Sequence, residues 1–441
     1  MPFANGKAIH GFEHGVVPAN VVSDLWEVVS TAGTLPTVIV GAARTGGKGL
    51  RVPMDGVNAI FIQMAYARNA SGFSPTATNR IVGSFYFRIP TLATTGAPNV
   101  WQVSSNAGSV AACRYDPATG KFRIHVGTGA NVSVTDPATV LANTWYRADF
   151  IYRLDLNPRT FSVRITKDGQ ATIGAEFTAT GPAETASTSR YLNLGSSSSG
   201  DTGGVPADFD DVLLSGHAAG DGDYPITPDG FHHRVNAYGP VNDGTHAVGT
   251  ATFRYTDNNG TAFTTITNGT TVAYQRVDLW PPLADGNASD TWVDKSAGTT
   301  LADLVEFQMN TDGAETTAPI GVHPKAAIVS TTATADSCEL FLRIGTTDDA
   351  TKINNGTVGS ATKVYRGWCY PLAPGGVAWT LANFNSPLRI RFSSTDISPV
   401  PRVKALLLEA AFQYAIAAAG TGIPTALFER RTPRRRTLQR V

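Results

Sequence analysis

The first stretch with the letters of a known chemistry is His10-Gly11-Phe12-Glu13-His14, which spells the H-x-x-E-H of some zinc peptidases. That chemistry needs both imidazoles on one helical face. Glycines at 11 and 15 in a β-rich segment oppose a helix, so the match is read as chance within a strand. His232-His233 offers less, because neighbouring side chains on a strand point to opposite faces. The segment Gly41 to Gly49 has the glycines and lysine of a phosphate-binding loop, yet Gly41 lies one residue too early for Lys48. Gly49 also stands where the magnesium-binding hydroxyl belongs, so this too reads as a plain loop. Asp210-Asp211, with Asp201, Asp208, Asp221 and Asp223 nearby, offers the hard oxygen ligands that calcium takes, and these two are the candidate metal ligands. The competing reading is ordinary polar chemistry at a strand end, since no fixed ligand spacing is matched.

Sugar hydrolysis needs two carboxylates across the glycosidic bond, commonly two Glu a few residues apart on one strand. Glu13, Glu27, Glu176, Glu184, Glu306, Glu315, Glu339, Glu409 and Glu429 are all the glutamates, and no two lie within five residues. A strand-borne pair of that kind is therefore not expected, and the chain is read as having no catalytic residue. At the C-terminal end Arg430, Arg431, Arg434, Arg435, Arg436 and Arg440 form a basic tail, each able to fork onto a carboxylate or phosphate. Without those six the chain has six more acidic than basic residues. An acidic protein surface, a neighbouring copy included, is the expected partner of the tail in preference to nucleic acid; a tail docked on nothing is the alternative.

Such residues are positioned by strands. Ile81 to Ile89 alternates cleanly, with Phe85, Phe87 and Ile89 on one face. Ala111-Ala112-Cys113-Arg114-Tyr115 and Lys121 to Val126 flank the turn Asp116-Pro117-Ala118-Thr119-Gly120, a hairpin whose Pro fixes φ and whose Gly permits φ > 0. Trp145 to Tyr152 and Thr160 to Ile165 continue the meander, and Phe209-Asp210-Asp211-Val212-Leu213-Leu214 closes it. Ser215 to Asp223 then has three Gly, two Asp and no large apolar side chain, which marks a boundary. Beyond it, Phe253-Arg254-Tyr255, Val272 to Leu279, Leu304 to Phe307, Val322 to Ser330, Leu340 to Ile344 and Leu388 to Phe392 are spaced as strands of a second antiparallel sandwich. Val403 to Phe412 is rich in helix formers, and propensity favours a helix there.

The chain has 441 residues, enough for two or three cores, and charged residues make up 16%, well below the roughly 25% of an average soluble protein. A surface so poor in charge fits contact with other protein, or a surface merely rich in Thr and Ser. Cys113, Cys338 and Cys369 give no disulfide framework, so a reducing compartment is expected. Neither a signal peptide nor an apolar run of membrane-spanning length is read in the sequence.

The order Gly11-Phe12-Glu13, Gly49-Leu50-Arg51-Val52, Phe85 to Ile89, Trp145-Tyr146-Arg147, Val163 to Ile165 with Asp168-Gly169, and Phe209-Asp210-Asp211-Val212 resembles a concanavalin A-like (laminin-G-like) jelly roll. Followed by Ala378-Trp379-Thr380, Leu388 and Lys404 to Tyr414, it resembles virion proteins of tailed bacteriophages in which a jelly roll precedes a second sandwich. The resemblance implies an all-β fold: a concanavalin A-like jelly roll over residues 1–216, a hinge at 217–224, a second antiparallel β-sandwich over 225–418 and a short basic tail over 419–441. It also implies a strand for Val403 to Phe412, and that is the expectation adopted.

The function implied is that of a non-enzymatic structural component of a phage particle, an accessory fibre, spike or minor tail protein that binds host-surface glycans through the jelly roll. A capsid-decoration or head-fibre protein and a glycan hydrolase are the alternatives. The implied partners are other virion proteins and copies of itself, a trimer by the fibre analogy, with no membrane. The implied location is the virion, assembled in the bacterial cytoplasm. No cofactor is expected apart from calcium at Asp210 and Asp211.

Overall fold

The structure, a computed structural model, describes residues 6–12, 27–30, 34–65, 79–105, 108–127, 132–153, 156, 158–181, 190–196, 204–218, 226–243, 252–256, 263–265, 293–297, 304–309, 311, 315–330, 336–358, 364–386, 388–394 and 401–416. These residues build two antiparallel sandwiches in series, and the fold is all-β as the sequence implied.

The first sandwich has an eight-stranded sheet, here the junction sheet. Its path runs Glu176–Thr180, Thr160–Lys167, Trp145–Arg153, Asn79–Arg88, Ala207–Ala218, Gly49–Val52 and Thr37–Ile39, with Gly6–His10 also on Ala207–Ala218. Facing it is a seven-stranded outer sheet in the order Val132–Thr139, Lys121–Val126, Gly108–Asp116, Asn99–Ser105, Arg190–Ser196, Ile60–Ala65 and Glu27–Ser30. Alternate residues of both sheets enter one core. Phe85, Phe87, Trp101, Phe122, Phe150, Phe161 and Phe209 fill it, each worth about 1.5–3 kcal/mol as a buried side chain. The Phe85 and Trp101 rings meet edge to face at 5.2 Å.

In the second sandwich one sheet runs Phe263–Thr265, Thr252–Thr256, Val293–Ala297, Pro401–Ala415, Pro319–Ser330 and Val364–Gly367, with Phe231–Tyr238 also on Pro401–Ala415. The other runs Pro240–Asp243, Leu304–Met309, Leu388–Ser394, Asp336–Ile344 and Thr347–Val358. Leu340, Leu342, Phe384, Ile390, Phe392, Leu406, Leu408 and Phe412 pack between them. A five-residue helix, Leu381–Asn385, capped by the Thr380 hydroxyl on the Asn383 N–H, bridges to Leu388 and has no counterpart in the sequence reading.

Val403 to Phe412 lies within the Pro401–Ala415 strand, as the resemblance implied and propensity did not. It pairs along its length with Pro319–Ser330 and is buried on both faces, so no polar alternation marks it as a strand. The Ala207–Ala218 strand runs through His217 and Ala218, two residues into the stretch read as hinge, and 219–225 lie outside the described residues. The strand expected over Val272 to Leu279 lies outside them as well. The second face of the junction sheet is covered. Ile9, Val82, Ile151 and Leu213 pack there against Ile226, Val235, Cys369 and Ala411 of the second sandwich. Cys113, Cys338 and Cys369 are buried and form no disulfide among the described residues.

Candidate functional site

With the junction sheet covered, the outer sheet is the part of the first sandwich whose second face turns away from the other sandwich. Its register places His125 opposite Ala112, Ala112 opposite Gln102, Gln102 opposite Asn193 and Asn193 opposite Gln63, one row across five strands. At strand spacings of roughly 4.8 Å the row extends about 19 Å. The residues flanking it in sequence, Ile124, Trp101, Val103, Leu192, Leu194, Ile62 and Met64, point into the core, so strand alternation delivers the polar row to the opposite face.

The row is unusual in its hydrogen bonding. Gln102 is 0%, Asn193 1% and His125 5% exposed, yet among the described residues Gln102 Nε2 and Oε1, Asn193 Oδ1 and His125 Nδ1 have no hydrogen-bond partner, nor has Ser104 Oγ, opposite Tyr191 on the same face. A shielded polar group without a partner costs about 1–3 kcal/mol, so side chains chosen for stability alone would be apolar here. Burial first, and the neighbouring Arg114 charge second, hold His125 down at about 4, so its imidazole is neutral near pH 7. Two residues along the strands Arg114 stands directly opposite Arg123. Arg114 donates from Nε to Asn99 Oδ1 at 2.7 Å, and Arg123 pairs with Asp116.

The sandwiches are joined through a buried polar cluster in which Arg44 is central. Its Nε and Nη2 fork onto Asp168 at 3.1 and 2.9 Å, Nη1 donates to Asp211 Oδ2 at 2.8 Å and to the His233 carbonyl at 3.1 Å, and Nη2 also reaches the Tyr414 hydroxyl at 2.8 Å. All five guanidinium hydrogens are used, and the Tyr86 ring lies 3.4 Å beneath the plane. Burial opposes the charge of Asp168, but Arg44 outweighs it and holds that carboxyl below its ordinary value. Arg147 does the same work beside it, donating to Asp149 at 2.8 Å and to the Phe231 carbonyl at 2.6 Å. A third contact joins Lys325 to Glu409, and the Lys325 Nζ donates to His10 Nδ1 at 2.8 Å.

Asp210 and Asp211 sit at a bulge where the Ala207–Ala218 strand exchanges one neighbour, Gly49–Val52, for another, Gly6–His10. Asp211 adopts φ 51°, the left-handed region that Asp tolerates better than most residues. Asp210 Oδ2 accepts from the Arg44 and Thr45 N–H groups, while Asp211 accepts from Arg44, the Thr45 hydroxyl and, at 2.6 Å, the Val235 N–H. Donor hydrogens and a guanidinium surround the pair, a donor set that does not fit calcium, which takes oxygen lone pairs. Among the described residues no group of three or more His, Cys, Asp and Glu is placed to hold a metal ion.

Of the other residues marked in the sequence, His10 lies in the Gly6–His10 strand and is buried at the junction, while Glu13 and His14 lie outside the described residues. His232 and His233 are both buried at the junction, because strand Phe231–Tyr238 is covered on both faces there. The Tyr86 hydroxyl and His232 Nδ1 lie 2.6 Å apart, and His233 Nε2 lies 2.7 Å from the Asp211 carbonyl. Arg430, Arg431, Arg434, Arg435, Arg436 and Arg440 lie outside the described residues. The sequence reading missed Arg44, Gln102, His125 and Asn193. The signal for the last three was a single polar residue between core positions, as in Trp101-Gln102-Val103, Ile124-His125-Val126 and Leu192-Asn193-Leu194.

No protein-family model matches the chain, and no curated protein matches it. Among solved structures, the Lotus tetragonolobus seed lectin is similar at 11% identity and TM-score 0.31, covering 49% of this chain and 100% of its own. Cellulose induced protein is similar at 12% identity and TM-score 0.32, covering 47% of this chain and 96% of its own. A protein of unknown function from Shewanella oneidensis is similar at 16% identity and TM-score 0.34, covering 49% of this chain and 87% of its own. Likenesses of this size carry no argument about ligand or activity.

Proposed function

We propose that the protein is a non-enzymatic, glycan-binding structural component of a bacteriophage particle, an accessory fibre, spike or minor tail protein. The glycan site is the polar row on the outer sheet. The second sandwich and the basic tail mount the molecule on other virion proteins and on copies of itself. The observation that supports the glycan site is the set of shielded, partnerless polar atoms on Gln102, Asn193 and His125, an array of amide and imidazole groups suited to the hydroxyls of a sugar chain. The virion setting is supported by the resemblance in the order of sequence motifs and by the two sandwiches in series.

The test has two arms. The full chain is applied to a panel of bacterial surface polysaccharides, with binding expected and with Gln102→Ala and Asn193→Ala each weakening it at least tenfold. Equal binding by both variants would move the site elsewhere. Purified particles are then probed with an antibody to the protein. Labelling on fibres or tail is expected, labelling spread over the head would favour a decoration protein, and no labelling would remove the virion assignment.

A further inference from the structure

Three hydrogen bonds between the sandwiches end on imidazole nitrogens. The Ile9 N–H donates to His323 Nδ1 at 3.1 Å, and Lys325 Nζ donates to His10 Nδ1 at 2.8 Å. The Gly169 N–H donates to His232 Nε2 at 3.1 Å while also reaching Asp168 Oδ1. Each bond crosses the joint, since Ile9, His10 and Gly169 belong to the first sandwich and His232, His323 and Lys325 to the second. A nitrogen that accepts carries no proton, so the closed joint fixes all three rings in the neutral form. A second proton on His232 would set its Nε2–H against the Gly169 N–H. On His323 it would donate to the Ile9 carbonyl, 3.0 Å away, and leave the Ile9 N–H facing another donor. On His10 it would face the Lys325 ammonium.

The surroundings offer these added charges little. His232 Nδ1 lies 3.6 Å from Asp168, but both oxygens of that carboxylate already accept from Arg44. The other titratable and charged neighbours of His232 include Tyr86, Tyr414, His233, Arg44 and Arg147. The His10 and His323 rings face each other with centroids 5.4 Å apart. Around them stand Lys325, the Cys369 thiol and Glu409, which is opposite His323 in register and engaged by Lys325. Burial first, opposed by Asp168 and aided by Arg44 and Arg147, holds His232 at about 4; burial and then Lys325 hold His323 well below the ordinary 6.5. Each sandwich packs its large side chains between its own sheets, so either keeps a core when the joint is open. We propose that acid releases the joint: protonation of His10, His232 and His323 uncouples the two sandwiches while both stay folded. The open joint binds protons at the ordinary value and the closed joint does not, so closure is strongest above 6.5 and weakens as pH falls toward 4. His232 alone shifts the equilibrium roughly 60-fold toward the open state between pH 7 and pH 4.5.

The experiment is hydrogen–deuterium exchange of the full chain at pH 7 and pH 4.5, read by mass spectrometry and corrected for the intrinsic effect of pH on amide exchange. Peptides containing Ile9 and Gly169, whose N–H groups make two of the three bonds, are expected to exchange at least tenfold faster at pH 4.5. Peptides from Phe85 to Ile89 and from Leu340 to Ile344, in the two cores, are expected to change less than twofold. The double variant His232→Gln with His323→Asn keeps an acceptor oxygen at both positions and cannot titrate there. Its acceleration at Ile9 and Gly169 is expected to be at least fivefold smaller than the parent's. If a thermal melt at pH 7 shows the double variant unfolded, the single variants serve, and each is expected to move the midpoint of release to lower pH. No acceleration at Ile9 and Gly169 in the parent overturns the proposal, because the joint then stays closed. Equal acceleration in the two cores overturns it too, because the whole chain then unfolds at once. Acceleration in the variants equal to the parent's, or a midpoint unmoved in both single variants, assigns the release to other groups and likewise overturns it.

Discussion

Arg44 Nη1 lies 2.8 Å from Asp211 Oδ2, and the two residues are separated by 167 positions in the chain. Their side chains are 4% and 0% exposed. Such a pair gives up hydration on both sides, and what offsets that loss is the completeness of its hydrogen bonding. The bulge at Asp210-Asp211 is the device that achieves it. Asp210 holds the Arg44 and Thr45 N–H groups, so the loop presents the Arg44 side chain outward to the second sandwich while Asp211 meets its guanidinium.

Arg44→Ala is expected to destabilise the protein by about 3–5 kcal/mol, because Asp211 and Asp168 lose their counter-charge in a shielded setting. Arg44→Lys is expected to recover little, since an ammonium cannot supply the five-donor fork. Urea unfolding monitored by tryptophan fluorescence measures both. A loss under 1 kcal/mol for Arg44→Ala would show that the cluster is dispensable.

Lys325 and Glu409 give a test of the opposite kind. Each single replacement, Lys325→Met or Glu409→Leu, is expected to cost about 3–5 kcal/mol by stranding the other charge, whereas the double replacement is expected to lie within about 1–2 kcal/mol of the parent. A double-mutant cycle reads the coupling directly. Additive losses would deny the pairing.

Gln102→Leu is expected to raise stability by ~1 kcal/mol while abolishing glycan binding, because it replaces two shielded, partnerless polar atoms with an apolar side chain. Melting temperature and binding are measured on the same sample. Loss of stability with binding intact would show that the amide serves the fold.

His125 is expected to make the protein less stable in acid. Its ordinary value is 6.5, and the fold holds it at about 4 through burial and then Arg114. Between these values the unfolded chain binds a proton that the folded chain does not, so stability is full above 6.5 and falls as pH drops toward 4. His125→Gln removes this contribution. The stability lost by the parent between pH 7 and pH 4.5 is expected to exceed that lost by the variant by about 1–3 kcal/mol, read from urea midpoints at the two values. Equal losses would place a protonated imidazole in the fold.

Strands were legible in the sequence wherever one face is apolar and the other is not, as in the Gly108–Asp116 and Lys121–Val126 hairpin. The same rule explains the difficulty at Pro401–Ala415, which is enclosed on both sides and shows only a run of apolar residues. The site was harder to see because its information lies across strands. Gln102 and Asn193 are 91 positions apart and meet only through register, and a lone polar residue in an apolar strand looks like any solvent-facing position. Arg44 was hidden by its setting among glycines, which suggested a phosphate loop. Its partners come from four separate strands and turns that no local pattern connects. The Asp210-Asp211 pair was read as a calcium ligand set, and in the structure it meets Arg44.

The Gly6–His10 strand joins Ala207–Ala218, and Ile9 in it donates its N–H to His323 at 3.1 Å, while Arg44 waits for Tyr414. Ile9 and His323 are 314 positions apart, and Arg44 and Tyr414 are 370. A ribosome delivers these partners in order: the jelly roll cannot close before residue 218 has emerged, Ile9 and His10 wait for His323 and Lys325, and Arg44 waits for Tyr414. The junction is therefore completed only once residue 415 has been made. A chain that stops short of strand 401–415 lacks Ala411 and leaves Ile9, Val82, Ile151 and Leu213 as a less completely covered apolar face.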